Sequence, residues 1–265
     1  MMNKAFRIIG INVIALLLLA GCNSKGQKEN KQANESKVTI TPVEHSKTFP
    51  DATLKIRDIQ VQEINSDSVS FKVNYGIEHF TLTEHTEDHN AHRLANSHDG
   101  QHIHFIMDNA PYTALYKPEN EVRLQKGSEH YLLSFLSRSY HEAIKEPSAF
   151  VLKHFAISND GKYQELETKT SPMLFYSRPK GEYAGKDTEV VLLDFYVLNT
   201  TLSKDGNKVQ ASINGENFVL DNWQPYQIKG MPLGENTIKL TLTDASGKPL
   251  TGENTSIERT IILKE

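Results

Sequence analysis

The chain has 265 residues, one cysteine and a formal net charge of −4 at neutral pH. A single cysteine excludes an internal disulfide and any zinc or iron–sulfur site built from several thiolates. Nucleic-acid-binding proteins usually carry a basic surface, whereas this chain has a slight excess of acidic residues. We therefore expect no nucleic-acid partner. With 38% hydrophobic and 23% charged residues, the composition is that of a globular protein.

The N-terminal segment has the features of a secretory signal. Lys4 and Arg7 precede an apolar stretch over residues 8–19, which is too short and wrongly flanked for a membrane-spanning helix. The ending LAGC resembles the bacterial lipobox, in which the cysteine becomes the lipidated first residue of the mature protein. We therefore predict a lipoprotein signal peptide over residues 1–21 and a palmitate-bearing lipid anchor on Cys22.

The segment after Cys22 predicts where the protein is held. Residues 22–50 are mostly polar, as expected for a flexible tether between a lipid bilayer and a folded body. Asn23 follows the cysteine, and this position in Gram-negative lipoproteins favours the outer membrane when it is not aspartate. The expected location is the bacterial cell envelope, lipid-anchored at the outer membrane and facing the periplasm.

Beyond residue 50 the apolar residues alternate with polar ones. Runs of period two cover residues 69–77, 103–107 and 131–135, and the rhythm returns from residue 190 onward. Glycine, asparagine, aspartate and proline separate the runs. This pattern is typical of β-strands joined by turns, and it predicts an all-β fold.

The two halves of the chain can be aligned with each other at an offset of 106 or 107 residues. The matching pairs are 98–109 with 204–215, 126–136 with 233–243, and 151–157 with 257–263. An offset that persists through three strands indicates an internal duplication. We predict two tandem immunoglobulin-like β-sandwich domains after the signal peptide and tether, at 51–165 and 188–265, joined by a linker at 166–187.

The histidines are concentrated in the first half. Ten of the eleven lie between residues 79 and 154, where an even distribution would place about three. The aligned positions of the second half hold other residues, so the duplicated fold does not itself require histidine there. This contrast argues for a functional role.

Two of these histidines share one strand face. His102 and His104 alternate with apolar residues of the run 103–107, so both side chains lie on the opposite face, about 6–7 Å apart at Cβ. Their counterparts Lys208 and Gln210 are hydrophilic, which predicts that this face points to solvent. On that basis, the fold should tolerate lysine and glutamine in their place.

A His-x-His pair can chelate one ion if further ligands approach. His130 and His141 are the candidates for the additional nitrogens; we expect His130 to point outward, with Tyr131, Leu133 and Phe135 pointing inward. Neutral imidazole suits zinc and copper(II), and carboxylates can assist. The sequence therefore predicts a divalent-metal site in the first domain.

A polar insertion at 84–100 has no equivalent in the second half. It contains four histidines among acidic residues, a composition similar to the metal-binding loops of periplasmic zinc-uptake proteins. These form a candidate auxiliary metal loop: His85, His89, His92 and His98. The alternative is a solvated loop that binds metals only weakly.

No motif indicates catalysis. The segment HEAIK at 141–145 has Lys145 where a zinc protease has its second histidine, and neither a G-x-S-x-G elbow nor a glycine-rich phosphate loop occurs. We predict a membrane-anchored protein that binds zinc or copper(II) and is not an enzyme. Two alternatives remain: a structural or recognition module binding an envelope protein or glycan through its loops, and a metalloenzyme with an open coordination position.

Several segments resemble an uncharacterised family of bacterial envelope lipoproteins with two tandem β-sandwich domains, some members of which are labelled phosphopeptide-binding. They are QHIHFIMDNAPYTALY, SFLSRSYHEAIK, MLFYSRPKGEY, VLLDFYVLN and DNWQPYQIKGMPLGEN. In HIHFIMD and KGSEH, the first domain is also similar to small histidine-containing periplasmic domains of unknown function, whose consecutive histidines are reduced here to His-x-His. The resemblance implies the fold and the envelope location, and no activity.

Overall fold

The computed structural model of the protein describes residues 37–265. The predicted signal peptide, the predicted lipidation site Cys22 and the first part of the predicted tether lie outside the described residues. No helix in the described part of the chain is long and apolar enough to cross a membrane.

The described residues form seventeen β-strands and two short 3-10 helices, the latter at Asn90–His92 and Gly185–Thr188. The strands are β1 Thr39–Pro42, β2 Thr53–Asn65, β3 Ser68–Glu78, β4 His102–Met107, β5 Thr113–Leu115, β6 Glu119–Gln125, β7 Ser128–Ser137, β8 Phe150–Ile157, β9 Tyr163–Glu165, β10 Met173–Arg178, β11 Gly181–Ala184, β12 Val191–Leu198, β13 Lys208–Ile213, β14 Glu216–Leu220, β15 Tyr226–Lys229, β16 Gly234–Thr243 and β17 Ser256–Lys264. The all-β prediction is confirmed.

The first sandwich consists of two antiparallel sheets. Sheet A has the strand order β2-β3-β6, and sheet B has the order β5-β4-β7-β8-β9. Their facing sides enclose a core that includes Phe71 of sheet A and Ile103, Phe105 and Phe155 of sheet B. The rings of Phe71 and Phe155 stack with centroids 4.8 Å apart, which joins the two sheets at the centre.

The second sandwich also consists of two sheets, antiparallel except where β11 pairs in parallel with β17. Sheet C has the order β1-β15-β12-β10, and sheet D has the order β11-β17-β16-β13-β14. Its core includes Phe195 and Ile228 of sheet C and Ile238 and Leu240 of sheet D, all fully buried. The tandem immunoglobulin-like architecture predicted from the sequence is therefore present.

The strands that the internal alignment paired occupy equivalent places. In sheet B, β7 lies between β4 and β8, and in sheet D, β16 lies between β13 and β17. Each aligned pair also has nearly the same length, with six residues in β4 and β13 and ten in β7 and β16. The repeat in the sequence thus corresponds to a repeated sheet.

Strands also occur in two segments that the sequence predicted as connections. Within the predicted tether 22–50, β1 pairs with β15 at the edge of sheet C. Within the predicted linker 166–187 lie β10 and β11, and every residue of β10 is buried. A strand buried on both faces has no polar alternation, so the period-two pattern cannot reveal it.

Sheet B is apolar on both faces because sheet C covers its outer side. Tyr131, Leu133 and Phe135 of β7 pack there against Phe175 and Tyr196 of sheet C. The sequence-based prediction that these three residues point into the first sandwich is wrong; the alternate residues of β7 do so instead. A strand with two apolar faces does not reveal from its periodicity which face is inner.

Candidate metal centre

His102 and His104 lie on β4 and, as the alternation predicts, on one face of it. Ile103 and Phe105 point into the first sandwich, and the two histidines point the other way. Neither histidine has any exposed surface. The prediction that both side chains face solvent is therefore wrong.

The second sandwich accounts for this burial. The outer face of sheet B packs against sheet C, so the histidines are enclosed between the two sandwiches. The matching face of sheet D has no such cover, and Lys208 and Gln210 remain half-exposed there. The same strand position is thus solvent-facing in one copy of the fold and buried in the other.

His141 reaches the pair from the connection between β7 and β8. It lies in a tight turn in which the backbone N–H of Arg138 donates to the carbonyl of Glu142. The φ of His141 is +69°, a left-handed conformation that a non-glycine residue adopts at a free-energy cost. Such strained residues are common at functional sites, where the surrounding contacts hold them.

A buried ion pair from the second sandwich holds this turn. The carboxylate of Asp194 on β12 accepts a hydrogen bond from the backbone N–H of Ala143 at 2.7 Å and pairs with Lys145 Nζ at 2.5 Å. Asp194 has no exposed surface. Both sandwiches therefore determine where His141 lies.

One ring nitrogen from each of the three histidines faces a common centre. Nε2 of His102 is 2.9 Å from Nε2 of His104 and 3.0 Å from Nδ1 of His141. The three ligand atoms all lie within 4.8 Å of one another. Among the described residues, this is the one group of histidine, cysteine or carboxylate side chains that converges in this way.

The outer hydrogen bonds of the rings direct their lone pairs toward that centre. The carbonyl oxygen of Gly100 can only accept, so Nδ1 of His102, 2.8 Å away, carries the proton and Nε2 is left with a free lone pair. Nδ1 of His104 is 3.0 Å from Oγ of Ser177. When it donates there, two lone pairs face each other at 2.9 Å. They repel unless a proton or a cation lies between them.

Aromatic rings surround the cluster. The ring of Tyr112 stacks on His104 with centroids 3.6 Å apart and planes 7° from parallel, and its hydroxyl lies 3.1 Å from Nδ1 of His141. Tyr116 approaches His102 on another side, with ring centroids 5.2 Å apart. These contacts fix the planes of the imidazoles.

The cluster is held in the neutral form that binds metal. Burial lowers the pKa of His102 to about 4, and the positive charges of Arg178 and Lys180 act in the same direction. Burial likewise lowers the pKa values of His104 and His141 well below the ordinary range. At neutral pH all three imidazoles are therefore neutral, each with one N–H and one lone pair, as ligation requires.

The arrangement fits one transition-metal ion. Zinc–imidazole bonds are about 2.0–2.1 Å long, so two ligands about 90–110° apart on one ion lie roughly 2.9–3.4 Å from each other. Two of the three separations, 2.9 and 3.0 Å, agree with that spacing, and the third, between His104 and His141, is within 4.8 Å. The hydrogen bonds to Gly100 and Ser177 supply the outer partners that metal-binding histidines usually have.

His130, the fourth candidate ligand, is not in this cluster. Its Nδ1 donates to Oδ2 of Asp108 at 2.6 Å, and its Nε2 is 2.6 Å from Oγ of Ser128. Its ring packs against Phe155 of the first sandwich's core, on the opposite face of sheet B from the cluster. The structure thus brings together three of the four predicted metal-site histidines.

The four histidines of the insertion lie on the surface. His85, His89, His92 and His98 are exposed, and the first three line a shallow cavity of about 650 Å³. Their ring nitrogens do not converge as those of the buried cluster do. Asp88 of this loop accepts hydrogen bonds from Tyr140 and from the backbone of Lys47, so it stabilises the loop.

Four residues of the site have no sequence signal that links them to metal binding. Tyr112, Ser177, Arg178 and Lys180 are separated from the histidines along the chain, and only the packing of the two sandwiches brings the last three to them. All four lie near β4 or β10, and the sequence pattern did not reveal β10 as a strand. Their place in the site follows only from tertiary contacts.

No protein-family model and no curated protein sequence matches the chain. Two solved structures are distantly similar. The fibronectin(III)-like modules of Clostridium thermocellum CbhA are 10% identical, with 78% of this chain and 94% of that chain covered at a TM-score of 0.28. The two tandem V-type regions of VCBP3, a v-region-containing chitin-binding protein, are 10% identical, with 81% of this chain and 99% of that chain covered at a TM-score of 0.22. Similarity at this level carries no information about function.

Proposed function

We propose that this protein is a lipid-anchored protein of the bacterial cell envelope that binds one divalent transition-metal ion, zinc or copper(II), between its two β-sandwiches. The protein ligands are Nε2 of His102, Nε2 of His104 and Nδ1 of His141. The role is binding, without catalysis of a reaction.

One observation carries this proposal. The proton on Nδ1 of His102, fixed by the carbonyl of Gly100, leaves a lone pair aimed at two other ring nitrogens about 3 Å away. The tautomer of His104 that donates from Nδ1 to Ser177 leaves two lone pairs facing each other and calls for a cation, whereas the other tautomer would donate from Nε2 to His102 and need none. A shared cation satisfies all three at once, and their neutral state at physiological pH removes competition from protons.

Burial supports a binding role without catalysis. His102 and His104 are fully enclosed, and Tyr112 and Tyr116 cover further sides of the cluster. A catalytic metal keeps a position open to water or substrate, whereas a structural or storage site is closed. The location in the envelope rests on the signal peptide and the lipobox cysteine Cys22.

Metal analysis of the untagged full chain tests the proposal. We expect one equivalent of zinc or copper in protein isolated from its native membrane fraction, and tight one-to-one binding when the metal-free protein is titrated with either ion. Replacing the exposed loop histidines in a parallel variant (His85→Gln, His89→Gln and His92→Gln) removes weak surface binding from the measurement.

A matched pair of double variants assigns the site. His102→Gln with His104→Gln should abolish tight binding. His130→Gln with His154→Gln changes two histidines of the same sheet that bond to Asp108 and Glu129 instead, and should leave binding intact. Equal affinity in the wild type and the first double variant would overturn the proposal.

A further inference from the structure

Arg178 is a buried cation with an unused hydrogen-bonding edge. Only 6% of its surface is exposed. Its Nη1 donates to the hydroxyl of Tyr183 at 2.7 Å, whereas its Nε is buried and has no hydrogen-bond partner in the described part of the chain. Nε and Nη2 form one edge of the guanidinium, and the parallel N–H groups of such an edge match the two oxygens of a carboxylate. A buried N–H without an acceptor costs free energy, which an anion on this edge would recover.

Lys180 and Arg259 add two positive charges to the same region. Nζ of Lys180 lies 3.8 Å from the centroid of the Tyr112 ring, and Cζ of Arg178 lies 5.5 Å from the same centroid. Lys180 and Arg259 donate to neutral backbone carbonyls. Among the described residues, no carboxylate lies within 4.0 Å of the charged nitrogens of these three cations. The fold therefore gathers three positive charges here without a negative one beside them.

The pKa of Lys180 reflects this excess of positive charge. Burial lowers that pKa to about 8, and the charges of Arg178 and Arg259 act in the same direction. Lys180 is still mostly protonated at neutral pH, so its repulsion with the two arginines is present in the folded protein. An anion placed among these cations would be attracted by all three.

A metal ion at the three histidines would increase the excess further. The charges of Arg178 and Lys180 act on all three histidine rings. The rings are neutral ligands, so a bound dication would keep both of its positive charges. Like charges repel each other more strongly in the interior of a protein than in water. An anion on the free edge of Arg178 would offset part of this repulsion.

We propose that Arg178 and Lys180 bind a small carboxylate anion, and that this anion and the metal ion bind with positive coupling. The inference rests on the proposed function. Each of the two ligands raises the affinity for the other by the same factor. Lys180 is half-exposed, so it is the cation that an anion from solution meets before it reaches the buried edge of Arg178.

Zinc titration in two salts tests the coupling. The metal-free, untagged full chain with His85→Gln, His89→Gln and His92→Gln is titrated against a competing chelator, in sodium formate or in sodium perchlorate of equal ionic strength. Formate is a small planar carboxylate, whereas perchlorate is not a carboxylate and binds metal ions weakly. We expect zinc to bind at least about fivefold more tightly in formate, the lower end of ordinary coupling. Complexes of formate with free zinc would act in the opposite direction.

Arg178→Gln assigns the anion site. The variant should bind zinc equally in the two salts. Its affinity in perchlorate should not fall below that of the wild type, because a positive charge near the ion has been removed. A merely structural role of Arg178 would lower the affinity in both salts and leave their ratio unchanged. Far-ultraviolet circular dichroism checks that the variant is folded.

Two further variants accompany it. Arg123→Gln is the matched control: this exposed arginine of β6 donates to Ser68, and its loss should leave the wild-type ratio unchanged. Lys180→Gln changes a half-exposed position, so it is the variant to use if Arg178→Gln does not fold, and it should reduce the ratio. Binding of carbon-13-labelled formate to the metal-free chain, followed by NMR, should weaken in the same variant.

The two proposals fail in different ways. Equal zinc affinity of the wild type in the two salts, or a formate effect that survives Arg178→Gln, would overturn the anion site and leave the three-histidine site in place. Absence of one-to-one zinc binding in both salts would overturn the proposed function and, with it, the coupling.

Discussion

Nδ1 of His104 lies 3.0 Å from Oγ of Ser177, although the two residues are 73 positions apart and belong to different sandwiches. Ser177 is fully buried on β10, in the sheet that covers the histidines. One sandwich therefore supplies the proposed ligand His104, and the other supplies its hydrogen-bond partner. Predictions about the site accordingly involve both halves of the chain.

Ser177→Ala should weaken metal binding without unfolding the protein. The variant loses the outer partner of His104, and we expect metal affinity to fall by about 10- to 100-fold. The free energy of unfolding should fall by only about 1 kcal/mol. Titration against a competing chelator and urea unfolding measure the two effects. Ser134→Ala, which removes a buried bond to Tyr75 on the other face of sheet B, should change stability similarly and leave affinity unchanged.

A reciprocal exchange tests the difference in burial between the two copies. His102→Lys places an ammonium group without a partner next to Arg178 and Lys180, so we expect a loss of about 3 kcal/mol or more in the free energy of unfolding. Lys208→His, at the equivalent half-exposed position, should change it by less than about 0.5 kcal/mol. Equal effects in denaturant unfolding would show that His102 is not enclosed.

The metal-free protein should lose stability as the pH falls below the ordinary histidine range. His102 has a pKa of about 4 in the folded state, so between pH 6.5 and pH 4 the unfolded chain binds a proton that the folded chain does not. The stabilisation is complete above about pH 6.5 and decreases by about 3 kcal/mol toward pH 4 for this residue. Urea unfolding at several pH values measures it.

The control for this pH dependence is the double variant His102→Gln with His104→Gln. Carboxylates also titrate in this range, but they are common to both proteins, so the difference between the two curves isolates the buried histidines. We expect the variant to depend less steeply on pH. Parallel curves would contradict the buried, neutral state of the cluster.

Asp194→Asn tests how the turn that carries His141 is held. The substitution keeps an acceptor for the backbone N–H of Ala143 but leaves Lys145 without its charge partner. We expect a loss of about 3 kcal/mol in unfolding free energy and weaker metal binding. Glu182→Gln, which removes the exposed pair with Lys264, should change neither quantity measurably.

Cys22→Ser tests the membrane anchor. The lipobox cysteine is the group that would carry the lipid, so the variant should leave the detergent phase on phase separation or accumulate with its signal peptide uncleaved. Mass spectrometry of the N-terminus distinguishes the two forms. A processed variant that still carries lipid would refute the lipoprotein prediction.

The sequence reveals the fold because most strands have one polar face. β13 alternates between buried and half-exposed residues, and β4 was located by its own period-two run over 103–107. By contrast, β10 and β12 are buried throughout, and β10 fell inside a predicted linker. Apolar and polar residues alternate only in a strand that has one face in solvent. A strand covered on both faces does not show this alternation.

The sequence predicted the three histidines of the site but not the residues that surround them. His102 and His104 share a face because of their spacing, and His141 was a candidate for a further nitrogen among the histidines concentrated in the first half. That His102 is buried depends on how the sandwiches pack, which no local pattern encodes. Tyr112 and Ser177 are ordinary residues in the sequence, and their roles exist only through contacts with the histidines.

The ion pair of Asp194 with Lys145 bears on the stage of synthesis at which the site can form. A nascent polypeptide that has emerged only as far as β8 already contains all three histidines, yet neither Ser177 nor Asp194 has been synthesised. In such a chain His102 and His104 would lack the cover of sheet C, and the turn with His141 would lack the hydrogen bond from Ala143 to Asp194. We therefore expect metal capture at this centre only after β12 has been synthesised; a chain truncated before β12 would carry all three histidines and still lack the anchor of the turn that holds His141.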